Sequence, residues 1–81
     1  MAHVTLITQL TQFTGGVREL EVEARSVQQL LAVLSEKFPE LAPRLEAGVA
    51  VAIDGQIYQD ALFQEIGENS EVHILPMIEG G

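Results

Sequence analysis

Few side chains in this 81-residue sequence could do chemistry, and none of them stands in a recognisable constellation. Glu19, Glu21 and Glu23 alternate through "VRELEVEA", which puts them on one face of a strand. That is the pattern of a solvated strand edge guarded against stray pairing, not of a general acid beside its base. Asp54 precedes Gly55 in a tight-turn dipeptide. Asp60 and Glu65 stand in an irregular stretch with no partner acid, base or glycine-rich cradle. His3 and His73 lie near opposite ends of the chain and would approach each other if the outer strands pair, but two histidines are too few for a dedicated zinc site. Lys37, the only lysine, falls at the end of a helical stripe, where attraction to the helix C-terminus accounts for it. With no cysteine there is no thiolate nucleophile, disulfide or cysteine metal site. No spacing supports a Ser-His-Asp set, and no phosphate-binding motif is present. The sequence is nearly empty as an enzyme.

One reactive group is left, at the end of "ILPMIEGG". Pro76 cannot donate to a central ladder, so it should end the sheet and start an extended tail. From Pro76 onward "PMIEGG" can reach about 20 Å. Gly80 and Gly81 lack Cβ atoms and can pass through a slot too narrow for a side chain. Met77 and Ile78 are apolar and need a groove to lie in, whereas a merely frayed end is more often polar. The expected division is a folded domain over 1–76 and a flexible tail over 77–81 that carries a reactive carboxylate on Gly81.

The elements that must hold this tail are legible from periodicity. "HVTLITQL" alternates as a strand over His3–Leu10; Gly15-Gly16 marks a turn, and Val17–Ala24 alternates again, so the two should form a hairpin. Ser26 stands as N-cap before "VQQLLAVLSEKF", whose Val27, Leu30, Leu31, Leu34 and Phe38 make one helical stripe, and Pro39 stops it. "ELAPRLEAG" is a connector with room for one short turn. "VAVAID" is a strand over Val49–Asp54, "QIY" starts a short one after Asp54-Gly55, and "EVHILP" is the last strand, Glu71–Pro76. The order β-β-α-β-(β)-β in so short a chain requires one mixed sheet covered on one face by the helix, with the first and last strands parallel at its centre. The expected core is Val4, Leu6, Leu20, Val22, Val27, Leu30, Leu31, Leu34, Val49, Val51, Ile53, Val72 and Ile74. Strand parity sends Thr5, Ile7, Ala50, Ala52, His73 and Leu75 to the opposite face, with Ile7 beside Leu75 in an apolar patch suited to docking a partner.

Composition bounds the rest. A chain this short is one domain with a small core, and 47% hydrophobic residues argue for a folded globule. Net charge is −8, which repels nucleic acid and anionic lipid and favours a partner with a basic docking face. No signal peptide or membrane-spanning run is legible, so the expected compartment is cytoplasmic.

An α+β, β-grasp domain with four to five strands on one main helix, ending in "EVHILPMIEGG", resembles the ubiquitin-like sulfur carriers of MoaD/ThiS type. That family includes the small subunit of molybdopterin synthase and the carriers of thiamine and cysteine biosynthesis. The resemblance runs the whole length, through "VQQLLAVLSEKFPEL", "VAIDG", "GENSEVHILP" and terminal Gly80-Gly81. Asp54-Gly55 stands where the family often has Asn-Gly, which keeps the turn chemistry. The resemblance implies a non-catalytic carrier with no resident cofactor or metal. An ATP-dependent adenylating enzyme of the ubiquitin-activating type would activate Gly81, and the resulting thiocarboxylate would donate sulfur in cofactor biosynthesis. Molybdenum cofactor is the first expectation, with the large subunit of molybdopterin synthase as acceptor, and cysteine or thiamine biosynthesis the alternatives. Ile7, Leu75, Met77 and Ile78 are the residues expected to meet partners. Two further readings are a protein modifier joined through Gly81 to lysines and a plain β-grasp interaction module.

Overall fold

The computed structural model describes residues 1–46, 48–59 and 62–76. Eight elements follow one another: β1 (Ala2–Leu6), α1 (Thr8–Thr11), β2 (Glu19–Val22), α2 (Val27–Lys37), α3 (Ala42–Glu46), β3 (Val49–Ile53), β4 (Gln56–Gln59) and β5 (Glu71–Pro76). The strands form one sheet in the order β2-β1-β5-β3-β4, with β1 parallel to β5 and the other neighbours antiparallel. The expected mixed sheet with its first and last strands at the centre is therefore present.

The first connection departs from expectation. The strand read over His3–Leu10 stops at Leu6, and the chain turns into α1. Leu6 and Leu10 still both enter the core, because a four-residue separation serves one helical face as well as one strand face. Thr8, which an unbroken strand would put on the same face as Leu6 and Leu10, is exposed. The Leu6 N–H donates to the Arg18 carbonyl at 2.7 Å and resumes the ladder on the far side of this excursion. Within it the buried Thr14 hydroxyl donates to the Val17 carbonyl at 2.8 Å, with the Thr11 carbonyl 3.1 Å away, and Gly15 and Gly16 take φ of 68° and 92°, which only glycine adopts freely.

The second half follows its local chemistry closely. Ser26 caps α2, its hydroxyl accepting from the Gln29 N–H at 3.2 Å, and Pro39 bars continuation beyond Phe38. The connector folds as α3, and the Arg44 guanidinium lies 5.0 Å from the Phe13 ring centre. Asp54 and Gly55 have φ of 49° and 90°, the two left-handed positions of a type I′ turn joining β3 to β4. Asp54 also fixes the start of β5: its N–H donates to the Glu71 carbonyl, and its carboxylate accepts from the Glu71 N–H.

The core lies between the sheet and α2. Val4, Leu6, Leu30, Leu34, Leu41, Val72 and Ile74 are its most enclosed side chains. Leu20 and Leu31, expected inside, are only half-buried against its margin. Leu20 belongs to an outer strand, and Leu31 borders a groove between α2 and β4 that no element covers among the described residues. Ala2 at the start of β1, Leu10 of α1 and Ala24 just after β2 add to the core, and Leu45 and Ile66 complete it, with Leu41, from segments without strand or long-helix periodicity. Replacing Leu30 by Ala should cost about 2–5 kcal/mol of stability, but Leu31→Ala only about 1–2 kcal/mol, since less of its surface leaves water. Chemical denaturation of the two variants checks this; equal losses would contradict the placement of Leu31.

Candidate functional site

Alternation along each strand gives the sheet a second, open face away from α2. The ladders put Glu19, Thr5, His73, Ala52 and Ile57 in one row across all the strands. A second row runs Glu21, His3, Glu71, and a third Leu75, Ala50, Gln59. The face is thus divided. Carboxylates and histidines occupy the β2 side, while Leu75, Ala50, Ala52 and Ile57 form an apolar strip toward β4.

This corrects the expected patch in two ways. The β1–β5 ladder ends at Leu6 opposite Ile74. Ile7 is the extended residue that starts α1, and it packs half-buried against the core instead of standing beside Leu75 in the ladder. The chain leaves the sheet one residue too early for strand parity to apply to it. Ile57, which the sequence reading passed over, takes a place on the strip with 63% of its surface exposed. Its position was readable: a two-residue Asp54-Gly55 turn puts Ile57 opposite Ala52. Thr5, Ala50, Ala52, His73 and Leu75 keep the expected face. Ala50 is nevertheless buried there, because its methyl group lies between the longer Leu75 and Gln59. Met77, Ile78, Gly80 and Gly81, with the whole expected tail over 77–81, lie outside the described residues.

At the other side of the face, His3 stands between two carboxylates. Its Nε2 is 2.8 Å from Glu19 Oε1 and its Nδ1 is 3.1 Å from Glu21 Oε1. The glutamates read as a guard on an edge strand therefore also tie β2 to β1. The sequence concealed this contact because the α1 excursion hides the hairpin register. Both ring nitrogens donate in the imidazolium form, so hydrogen bonds to Glu21 and then Glu19, aided by the charge of Glu71, raise the His3 pKa above the usual histidine value. His73, which faces Thr5, is a diagonal neighbour of His3 and not its partner. Among the described residues no group of three or more His, Asp or Glu side chains could hold a metal ion, and no helix is long and apolar enough to cross a membrane.

A family model described as the ThiS family matches residues 4–81. No curated protein matches the sequence. Among solved structures the chain is similar to one in the Amycolatopsis orientalis BexX/CysO complex, with TM-score 0.81, 19% identity and all of both chains covered. It is also similar to small archaeal modifier protein 1 of Methanosarcina acetivorans, with TM-score 0.79 and 22% identity over 99% of this chain and 95% of that one. A third likeness is to a chain of the complex of subunits 1 and 2 of the Helicobacter pylori molybdopterin-converting factor, with TM-score 0.70 and 21% identity over 99% and 97%. These likenesses establish the β-grasp fold that the order of elements implied.

The His3 cluster sets a pH dependence with a definite sign. A pKa raised on folding means that the added stability is fully present below the unfolded-state value of about 6.5 and is lost as pH rises through the higher folded value. His3→Gln should remove this component from the stability profile. An NMR titration should place the His3 midpoint above that of an unperturbed histidine, and Glu21→Gln should lower it. A midpoint unmoved by Glu21→Gln would show that the contact does not persist in solution.

Proposed function

The chain belongs to the ThiS family, and on that premise we propose that it is a sulfur carrier whose reactive group is the carboxylate of Gly81. The observation that carries this reading is the family match over residues 4–81, which takes in Gly80-Gly81. A carboxylate is a poor electrophile. An ATP-dependent adenylating enzyme converts it to an acyl adenylate with release of pyrophosphate. A sulfide equivalent then attacks the acyl carbon, AMP leaves, and a thiocarboxylate remains. That sulfur passes to an acceptor enzyme of cofactor biosynthesis, and the chain returns as the carboxylate. The adenylate and thiocarboxylate exist on the chain only transiently, and the chain's own part is to present its end and be recognised. The lack of cysteine suits this role, since no internal thiol can capture the activated end.

Recognition is assigned to the divided open face. Leu75, Ala52 and Ile57 offer apolar contact, and the glutamates beside them favour a partner with a basic rim. Met77 and Ile78 extend that contact along the tail. For the acceptor we propose the large subunit of molybdopterin synthase first, by analogy with the Helicobacter pylori complex, and an enzyme of cysteine or thiamine biosynthesis second. The likeness to small archaeal modifier protein 1 favours one other reading, in which the activated Gly81 is joined to lysines of target proteins.

Intact-mass spectrometry after incubation with ATP, a cognate adenylating enzyme and sulfide tests the chemistry. Exchange of one oxygen for sulfur should add about 16 Da to the chain. One residue appended after Gly81 should abolish the gain, because it moves the carboxylate by about 3.5 Å, more than an in-line attack tolerates. A gain that persists when Gly80-Gly81 is deleted would refute the reading, and isopeptide-linked conjugates in cells would favour the modifier. Separately, Ala52→Asp should lower kcat/KM for adenylation at least about tenfold with the fold retained, as expected for a charge at the centre of an apolar contact. An unchanged rate would remove the open face from the docking site without touching the assignment of Gly81.

A further inference from the structure

The β3–β5 ladder ends at the pair Val49–Pro76, and a glycine stands where its next exchange of hydrogen bonds would fall. The Asp54 N–H donates to the Glu71 carbonyl, so in alternation Ala52 and Ala50 turn their peptide groups toward β5, opposite His73 and Leu75. The next residue of that set is Gly48, and the residue it would face is Met77, which lies outside the described residues. Gly48 withholds its donor. Its φ is 116°, outside the range of a strand, and its N–H donates to the Leu45 carbonyl at 3.3 Å. The N–H that a further exchange needs is spent on the end of α3.

The local chemistry explains the glycine. α3 ends at Glu46, and Gly48 follows two residues later, where a residue of positive φ commonly closes a helix. Any other L-residue is strained at φ of 116°. Returned to the extended φ of a strand, position 48 would turn its N–H toward β5. Further back the register has no strand to continue on, because Glu46, which would face Glu79, belongs to α3. The other side of β5 is closed too. Alternation turns the Pro76 peptide toward β1, where proline has no N–H to give and the chain has already passed from Leu6 into α1.

We propose that Gly48 is a positioning residue for the reactive end, a role that rests on the sulfur-carrier reading: it denies Met77 a full place in the ladder, so that β5 ends at Pro76 and residues 77–81 are left for the slot of the adenylating enzyme. A glycine that only closed α3 would serve at any register, and this one falls at the position that faces Met77. The consequence is length. Residues 77–81 reach about 17 Å when extended and residues 79–81 only about 10 Å, so capture of Met77 and Ile78 by β3 would shorten the reach by about 7 Å. A backbone held in the ladder cannot enter a slot, and attack on the Gly81 carbonyl carbon does not tolerate so large a displacement.

NMR of the whole chain tests the ladder apart from the chemistry. In a longer ladder the next close pair after Val49–Pro76 is Ala47–Ile78. An Hα–Hα contact between those two should be absent in the wild type and present in Gly48→Val, whose β-branched side chain favours a strand. The same substitution should lower kcat/KM for adenylation at least about tenfold. Two glycines inserted between Glu79 and Gly80 should restore part of that rate in Gly48→Val and lower it in the wild type, a reversal that a merely weakened fold cannot give. The wild-type spectrum decides the matter if Gly48→Val does not fold. The Ala47–Ile78 contact in the wild type, its absence from folded Gly48→Val, or an insertion that lowers the rate in both backgrounds would each overturn the proposal. A wild type that lacks the contact and is never adenylated would refute the carrier reading instead, and with it this role for Gly48, leaving the glycine as the end of a ladder alone.

Discussion

The parallel contact of β1 with β5 governs the rest of the molecule. It joins residues from opposite ends of the chain, His3 with Glu71 through Leu6 with Ile74, so nearly the whole chain must be gathered before it can form. Val4, Leu6, Val72 and Ile74 are fully enclosed on its inner side, where they meet Leu30 and Leu34 of α2. Hydrophobic burial there offsets the entropy of closing so long a loop. Both outer hairpins hang from this pair. β2 attaches to β1 and β3 to β5, so the composition of the open face follows from one register.

That dependence explains what the sequence discloses. Elements specified by local chemistry are readable: Ser26 and Pro39 bound α2, Asp54-Gly55 sets the β3–β4 turn, and the alternation of "EVHILP" gives β5 its ends. The α1 segment is not readable, because "TLITQL" alternates as well as a strand does and only tertiary closure through Arg18 turns it aside. Leu41, Leu45 and Ile66 enter the core from short or irregular segments, where burial is decided by what packs over them and leaves no periodic trace. The site divides along the same line. Leu75 and Ala52 follow from parity, whereas Ile7 does not, and the pairing of His3 with Glu19 and Glu21 needs a register that the excursion conceals. The tail, legible only as a motif, is the part of the site for which the sequence and the family match supply the whole case.

The acids of the open face serve two ends that pull in opposite directions. Glu19 and Glu21 hold His3 and so fasten an outer strand of only four residues. On the proposed docking, the same carboxylates meet the partner's basic rim. A guanidinium or ammonium group approaching them competes with the imidazolium, and a partner that wins releases the His3 proton or leaves the imidazolium less well paired. The strength of docking and the fastening of β2 are then linked through the charge state of one side chain.

The most far-reaching consequence of the central pair concerns the chain end. β5 is at once the middle strand of the sheet and the last described element before Gly80-Gly81 in the sequence. Its register is set by enclosure of Val72 and Ile74, with Asp54 holding Glu71 at the strand's start. A slip of one residue would send Val72 and Ile74 to the open face and put His73 and Leu75 in the core, a large loss of burial and a buried imidazole. It would also move the point of departure at Pro76 by about 3.4 Å. The core therefore does more than keep the domain folded. By refusing that slip it fixes the residue at which β5 ends, and on the proposed function that keeps constant the number of residues between the sheet and the Gly81 carboxylate.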